Sequence, residues 1–532
     1  MTVERTFLGF GVLLFSSGVF LLLNLWGVAL NGGVFVYPLD DAYIHLSMAE
    51  QIAKGEYGIN PSQFAAADSS ILYPFLLLPV FGIEFQQYMP LILNGAALLW
   101  GVLIIEKIFE KAGFYAGRTT RTFMVLALFI APLSLNMIGV SMLGMEQSLH
   151  VLTVLYALYG VALWVSEKRL NLYLIAAILL GPLIRYEAMG LSLLLSAMLF
   201  LDGRKRAGLG LATLAIIPLL GFSWFLVTQD GNSLPNSVVR KVIIAEASDL
   251  QGVGLLLKNF TYRPEYALVA WLFLGLAALF TALLAHAKIR QDSLALRLGL
   301  IAIFSLLGQG FVGRNGLGNR HETYVIVLAG IALLIVLRGP LAQKGLARWG
   351  SAVLALAALL LPLPHFSQQS ISFGPLSMHN VFDQQWQMGR FARDYLNAPV
   401  AVNDIGLPSY RNENDVLDLW GLASHEALSA WAEPKPRGWV NALVDRSGAD
   451  LAMIYESWIL PGVSRGWYKI GYFKIRGEAH AVAGPWVALY ATNEAAISRL
   501  QALLREFQPT LPDPRMLDIL AAPIPYIPEP EE

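Results

Sequence analysis

A chain of 532 residues that is 56% hydrophobic and only 14% charged is not an ordinary soluble enzyme, since soluble proteins carry roughly 25% charged residues. Its net charge of −1 says little about partners, and no nucleic-acid partner is expected. The absence of cysteine excludes disulfides, thiolate metal sites and thiol nucleophiles.

The apolar residues fall in repeated runs long enough to cross about 30 Å of hydrocarbon, which defines a polytopic α-helical membrane protein. The first run, "FLGFGVLLFSSGVFLLLNLWGVAL", is too long for a signal-peptide core and lacks a small-residue cleavage site. It reads as a retained helix. Basic residues recur between later runs, at Lys107, Lys111, Arg118 and Arg121, at Arg204, Lys205 and Arg206, and at Arg338, Lys344 and Arg348. Taking these as the cytoplasmic side predicts about 11 crossings with the N-terminus inside. The spans are roughly 7–30, 88–106, 122–140, 147–165, 171–184, 187–201, 207–228, 266–286, 295–312, 323–338 and 348–364. Residues 71–83, "ILYPFLLLPVFGI", are broken by proline and suit an interfacial helix better than a crossing.

This threading predicts a membrane domain over 1–364, with a long outer loop at 31–87. From 365 to 507 the pattern changes. "APVAVND", "DVLDLWG", "LAMIYES" and "YKIGYFKI" read as short strands between helical runs at 380–396 and 436–447. That alternation predicts a small α/β domain outside the membrane. Residues 508–532 form a Pro-rich, acidic tail expected to be poorly ordered at its end. No repeat of fixed period is visible.

On this topology the polar residues gather on the outer side: Asp40, Asp41 and His45; Glu146; Arg185 and Glu187; Asn236, Arg240 and Lys241; Arg314, Asn319, Arg320, His321 and Glu322. Ionisable residues at membrane-helix ends are costly unless paired, hydrated or functional. Each also has a plain structural role available. One aspartate of the Asp40–Asp41 pair could cap a helix over 42–54, with Asp41 the better placed. Arg185 and Glu187 could be an ion pair, Arg240 and Lys241 solvated charges, and His321 a hydrogen-bonded loop histidine. A single cap leaves the second aspartate without a structural role. Carboxylates beside cations suit glycosyl transfer from a lipid phosphate: a carboxylate serves as base for the acceptor hydroxyl, and cations neutralise the leaving phosphate. Asp41 and Glu146 could also hold a divalent cation such as Mg, Mn or Ca.

The stretch "LDDAYIHLSMAEQIAKGEYGINPSQFAAADSSILYPFLLL" resembles the first loop of the GT-C superfamily of membrane glycosyltransferases, and more narrowly of the mycobacterial terminal arabinofuranosyltransferase group. "GMEQSL", "IRYEAMG", "LPNSVVRK" and "AVNDIGLPSYRNENDVLDLWGLASHEA" are similar to further stretches of that group, in the same order from 37 to 427. The resemblance implies a polyprenyl-phosphate sugar donor and an inverting transfer to a glycan, lipid or protein acceptor at the outer face of a bacterial cytoplasmic membrane. It places Asp40 and Asp41 at the catalytic-acid positions, with Asp40 narrowly preferred as base. Glu146, Arg185, Glu187, Lys241, Arg320 and His321 would line the donor phosphate and sugar. "DSSILYPFL" and Arg-Tyr-Glu depart from the group's pattern, so the sugar does not carry over. The competing classes are a lipid-sugar transporter or flippase, which would favour mid-helix charges and repeats, and a non-catalytic envelope scaffold.

Overall fold

The structure, a computed structural model, describes all residues except 1, 62, 230, 241–252, 262, 263, 317, 433–435 and 529–532. The protein is mostly helical and divides into two compact units. The first comprises 1–25, 91–221 and 249–374, and the second 26–90, 222–248 and 375–532.

Eight helices among the described residues are long and apolar enough to cross a membrane. They include Phe7–Leu30, Gln147–Glu167, Lys205–Thr228, Ser293–Phe311 and Thr323–Leu341. The chain is therefore an integral membrane protein. Three of the eleven expected spans fall on shorter helices, Arg118–Ser134, Leu172–Ile184 and Ala188–Leu201. At 1.5 Å per residue these reach only about 20–26 Å, short of the roughly 30 Å core. In the first unit the 147–167 and 323–341 helices are buried on most sides, while the 205–228 helix leaves Leu209, Leu214, Ile217 and Leu220 exposed, as a lipid-facing surface would.

The second unit is built on one mixed sheet in the order β2-β1-β3-β5-β4-β6. Its strands are β1 (Val400–Val402), β2 (Val416–Asp418), β3 (Leu451–Ile454), β4 (Tyr468–Lys474), β5 (Trp486–Ala491) and β6 (Leu517–Pro525). β1 pairs in parallel with β2 and β3, and the remaining pairs are antiparallel. The four segments read as strands form β1 to β4. β6 comes from the Pro-rich stretch and lies at the sheet edge, where Pro523 and Pro525 cost fewer ladder bonds than they would centrally.

Side-chain alternation divides the core in two. Val400, Val402, Leu451, Met453, Val487 and Leu489 face one layer; Ala401, Ala452, Ile454, Ala488 and Tyr490 face the other. The first layer is completed by the amphipathic helix Ile497–Phe507 and by Ile44 and Met48 from the Asp41–Ala53 helix. The long loop at 31–87 is thus a structural part of the sheet unit. Residues 71–83 form two short helical turns, Tyr73–Leu76 and Leu78–Val80, rather than one interfacial helix.

Candidate functional site

In the second unit the Asp41–Ala53 helix begins at Asp41, which leaves Asp40 at the N-cap position. The Asp40 side chain does not bond the amides of that helix. It accepts instead from the backbone N–H groups of Gly406 (2.6 Å) and Leu407 (2.7 Å), the first turn of the short helix Gly406–Ser409. The expectation that Asp41 would be the cap is replaced by a long-range one, with Asp40 capping a helical turn more than 360 residues away. Gly406 is required there, because a Cβ would lie 2.0 Å from the Asp40 carbonyl oxygen.

That clamp brings Asp404 beside Asp40. Asp404 follows β1 and Asp418 ends β2, and the parallel register Val400↔Val416, Val402↔Asp418 and Val402↔Met453 aligns the carboxyl ends of β1, β2 and β3. Open parallel sheets bind ligands beyond the carboxyl ends of their strands. Gln385 Nε2 donates to Asp404 Oδ2 (2.8 Å) and lies 3.2 Å from the Tyr455 hydroxyl. Asn403 Oδ1 accepts the Tyr455 amide (2.7 Å), tying the end of β1 to the end of β3. Asp418 is structural: its two oxygens accept from Trp420 N (2.7 Å) and Ala423 N (2.6 Å), which shapes the 420–423 turn.

Asp40 and Asp404 are surrounded by protein yet keep some accessible surface. Burial, and then the charge of Asp404, raise the Asp40 carboxyl well above the usual carboxylate range, against the two amide donors that favour its ionised form. Burial pushes Asp404 up to about 6; Gln385 opposes this and the charge of Asp41 adds to it. A carboxyl placed there can take up and release a proton near neutral pH. Asp404 was not singled out in the sequence, although "AVND" marks an aspartate just beyond a buried strand.

The other residues singled out divide between the units. Arg240 is buried in the second unit, its guanidinium 4.1 Å from the Trp420 ring centre and 4.5 Å from that of Trp431. Burial lowers its pKa to about 10. Asn236 is also buried, its amide N–H donating to Ala66 O (3.0 Å). His45 is buried against Tyr73, edge to face at 5.0 Å. Lys241 lies outside the described residues.

In the first unit, Arg185 Nη1 donates to Glu146 Oε1 (2.6 Å), while its Nε and Nη2 form a fork onto Glu187 at 3.2 and 2.8 Å. Arg185 and Glu146 are 3% and 0% exposed, so the guanidinium is enclosed and neutralised by two carboxylates. Arg320 contacts Met145 Sδ (3.3 Å), and His321 is buried. Glu322 Oε1 accepts from Gly316 N (2.9 Å) and Asn319 Nδ2 (2.8 Å), which ties both residues to the start of the following helix. Near these groups lies a cavity of about 470 Å³, with Glu187, Gln309 and Tyr324 as its polar wall and Leu191, Leu194 and Phe304 on its apolar side.

Among the described residues no group of three or more His, Cys, Asp or Glu side chains is placed to hold a metal ion. Glu146 is committed to Arg185. The described residues therefore give no support to the divalent cation expected at Asp41 and Glu146.

A family described as a domain of unknown function, DUF8728, matches residues 379–490. No curated protein matches the chain. Solved structures of the Archaeoglobus fulgidus oligosaccharyltransferase resemble it. The apo form is 12% identical over 96% of this chain and 76% of that one, with a TM-score of 0.49. The form with Zn and sulfate is 12% identical over 90% and 73%, with a TM-score of 0.48. The form with an inhibitory peptide and a dolichol-phosphate is 11% identical over 89% and 75%, with a TM-score of 0.45. At these scores the likeness assigns neither fold nor activity.

Proposed function

We propose that the protein is an integral-membrane glycosyltransferase of GT-C type, moving a sugar from a polyprenyl-phosphate donor to an envelope glycan, lipid or protein acceptor. The single observation that carries this is the pairing of Asp40 and Asp404, two carboxyls from distant parts of the chain, at the carboxyl ends of parallel strands. The first-loop resemblance supports the same reading.

In the proposed reaction the acceptor hydroxyl oxygen attacks the anomeric carbon from the face opposite the phosphate. The new glycosidic C–O bond forms as the bond to the phosphate oxygen breaks, so the configuration inverts. The hydroxyl proton passes to ionised Asp404 and the polyprenyl phosphate departs as an anion. Asp40, held by two amides, fixes the 404–407 turn, and Asp41 borders it. The resemblance alone proposes Arg320 and Lys241 as phosphate contacts, and Arg185 is the ion-pair partner of Glu146 and Glu187. The reaction is placed at the outer face of a bacterial cytoplasmic membrane.

The test is mass spectrometry of envelope glycans and lipid-linked sugars in a deletion strain carrying wild-type or Asp404→Asn protein. Loss of one glycan product with accumulation of its lipid-linked donor in both the deletion and the variant is expected. Wild-type glycans in the variant would overturn the assignment of Asp404.

A further inference from the structure

A second site lies in the sheet unit, on the face opposite the Asp41–Ala53 helix. The helices His425–Ala432 and Trp439–Ser447 flank an open cleft of about 420 Å³. Ala430, Ala442 and Leu443 lie along it, and His425, Ser429, Glu426 and Arg446 supply polar groups. Glu426 and Arg446 pair with each other while remaining largely exposed. The half-buried indole of Trp439 completes the lining. None of Asp40, Asp41 and Asp404 lines this cleft.

The Trp439 indole is held in place from behind. A Cβ at Gly462 would stand 2.5 Å from Trp439 Nε1, so the glycine leaves the space in which the ring sits. The Trp431 ring packs edge-on against it at 5.3 Å, and Trp431 Nε1 donates to Leu419 O (3.0 Å). From there a strip of rings continues through Trp420 and Trp458 to Tyr455, in steps of 4.6 to 5.6 Å. Arg240 lies over the middle of the strip. Tyr455 contacts Gln385, the side chain that holds Asp404. The strip therefore connects the cleft to the carboxylate pair through packed side chains of one unit.

We propose that this cleft is a saccharide subsite. One sugar ring would lie against the Trp439 indole, and Glu426 and Arg446 would exchange hydrogen bonds with its hydroxyls. An indole face suits the C–H side of a sugar ring, and a carboxylate–guanidinium pair supplies both acceptors and donors to neutral hydroxyls. Because several ring-to-ring steps separate Trp439 from Tyr455, an acceptor that reaches both places is an oligosaccharide rather than a single sugar. This last point rests on the glycosyltransferase reading; binding at the cleft does not.

The experiment is isothermal titration of the purified full chain, carrying Asp404→Asn, with a panel of neutral linear oligosaccharides of two to eight units, both α- and β-linked. The Asp404→Asn background keeps binding separate from catalysis. Affinity for at least one series is expected to rise with length. Trp439→Ala is expected to weaken the long members at least tenfold. Glu426→Gln combined with Arg446→Met, both on exposed positions, should weaken them severalfold without lowering the melting temperature. No binding by any member overturns the proposal, as does binding that both sets of substitutions leave unchanged. Length-dependent binding together with wild-type glycans in the Asp404→Asn strain would retain the saccharide subsite and discard the catalytic assignment.

Discussion

The pairing of Asp40 with Asp404 changes what the adjacent aspartates at 40 and 41 mean. A carboxylate whose two oxygens accept backbone amides at 2.6 and 2.7 Å is a clamp before it is a base. Asp404, pushed up to about 6, is the group suited to move a proton. If it acts in its ionised form, transfer should rise with pH through about 6 and then level off. Asp404→Asn should remove that limb and lower the rate by about 10²- to 10⁴-fold, measured as product formation in membranes with a lipid-linked donor. Gln385→Met takes away a hydrogen bond that lowers the Asp404 pKa, so the limb should move to higher pH. A limb that stays in place in both variants would count against Asp404. The sign for stability runs the other way. The folded protein holds this proton to about 6 whereas the ordinary carboxyl loses it near 3.8, so the contribution is complete below 3.8 and lost as pH rises to 6.

At the level of elements, the Asp41–Ala53 helix does two things at once. Its N-terminus delivers Asp40 to the 406–407 amides, and its inner face adds Ile44 and Met48 to the core beneath the sheet. Met48→Ala should therefore cost about 2–5 kcal/mol, read by thermal or denaturant unfolding of the sheet unit in detergent. An unchanged midpoint would mean that the loop does not belong to that core. Gly406→Ala should act on the site more locally, since its new Cβ meets Asp40 itself. The expected result is loss of transfer with a smaller loss of stability than Met48→Ala causes. β1 to β4 were legible because each is a short run of β-branched, apolar or aromatic residues between helical patterns, with Asn403–Asp404 just after β1 and Asp418 at the end of β2. β6 was not, because its prolines at 523 and 525 signal a tail unless an edge position is available.

For the whole molecule, the number of crossings fixes whether the two termini lie on the same side. Eleven crossings put the N- and C-termini on opposite sides; crossing only by the eight long helices would put them on the same side. Alkaline phosphatase fused after residue 528 is expected to be active, with the N-terminus inside. Activity confined to an N-terminal fusion would reverse the orientation. The sequence by itself determined the membrane class and four strands of the sheet, because hydropathy and period-two alternation are local properties. It also pointed to Asp40, by an uncommon pair of acids after an apolar run. Only the tertiary structure decided that Asp40 binds amides at 406 and 407, that Asp404 is its neighbour, and that Glu146 joins the Arg185–Glu187 pair. Those relations depend on contacts between residues far apart in the chain, and no spacing in the sequence encodes them.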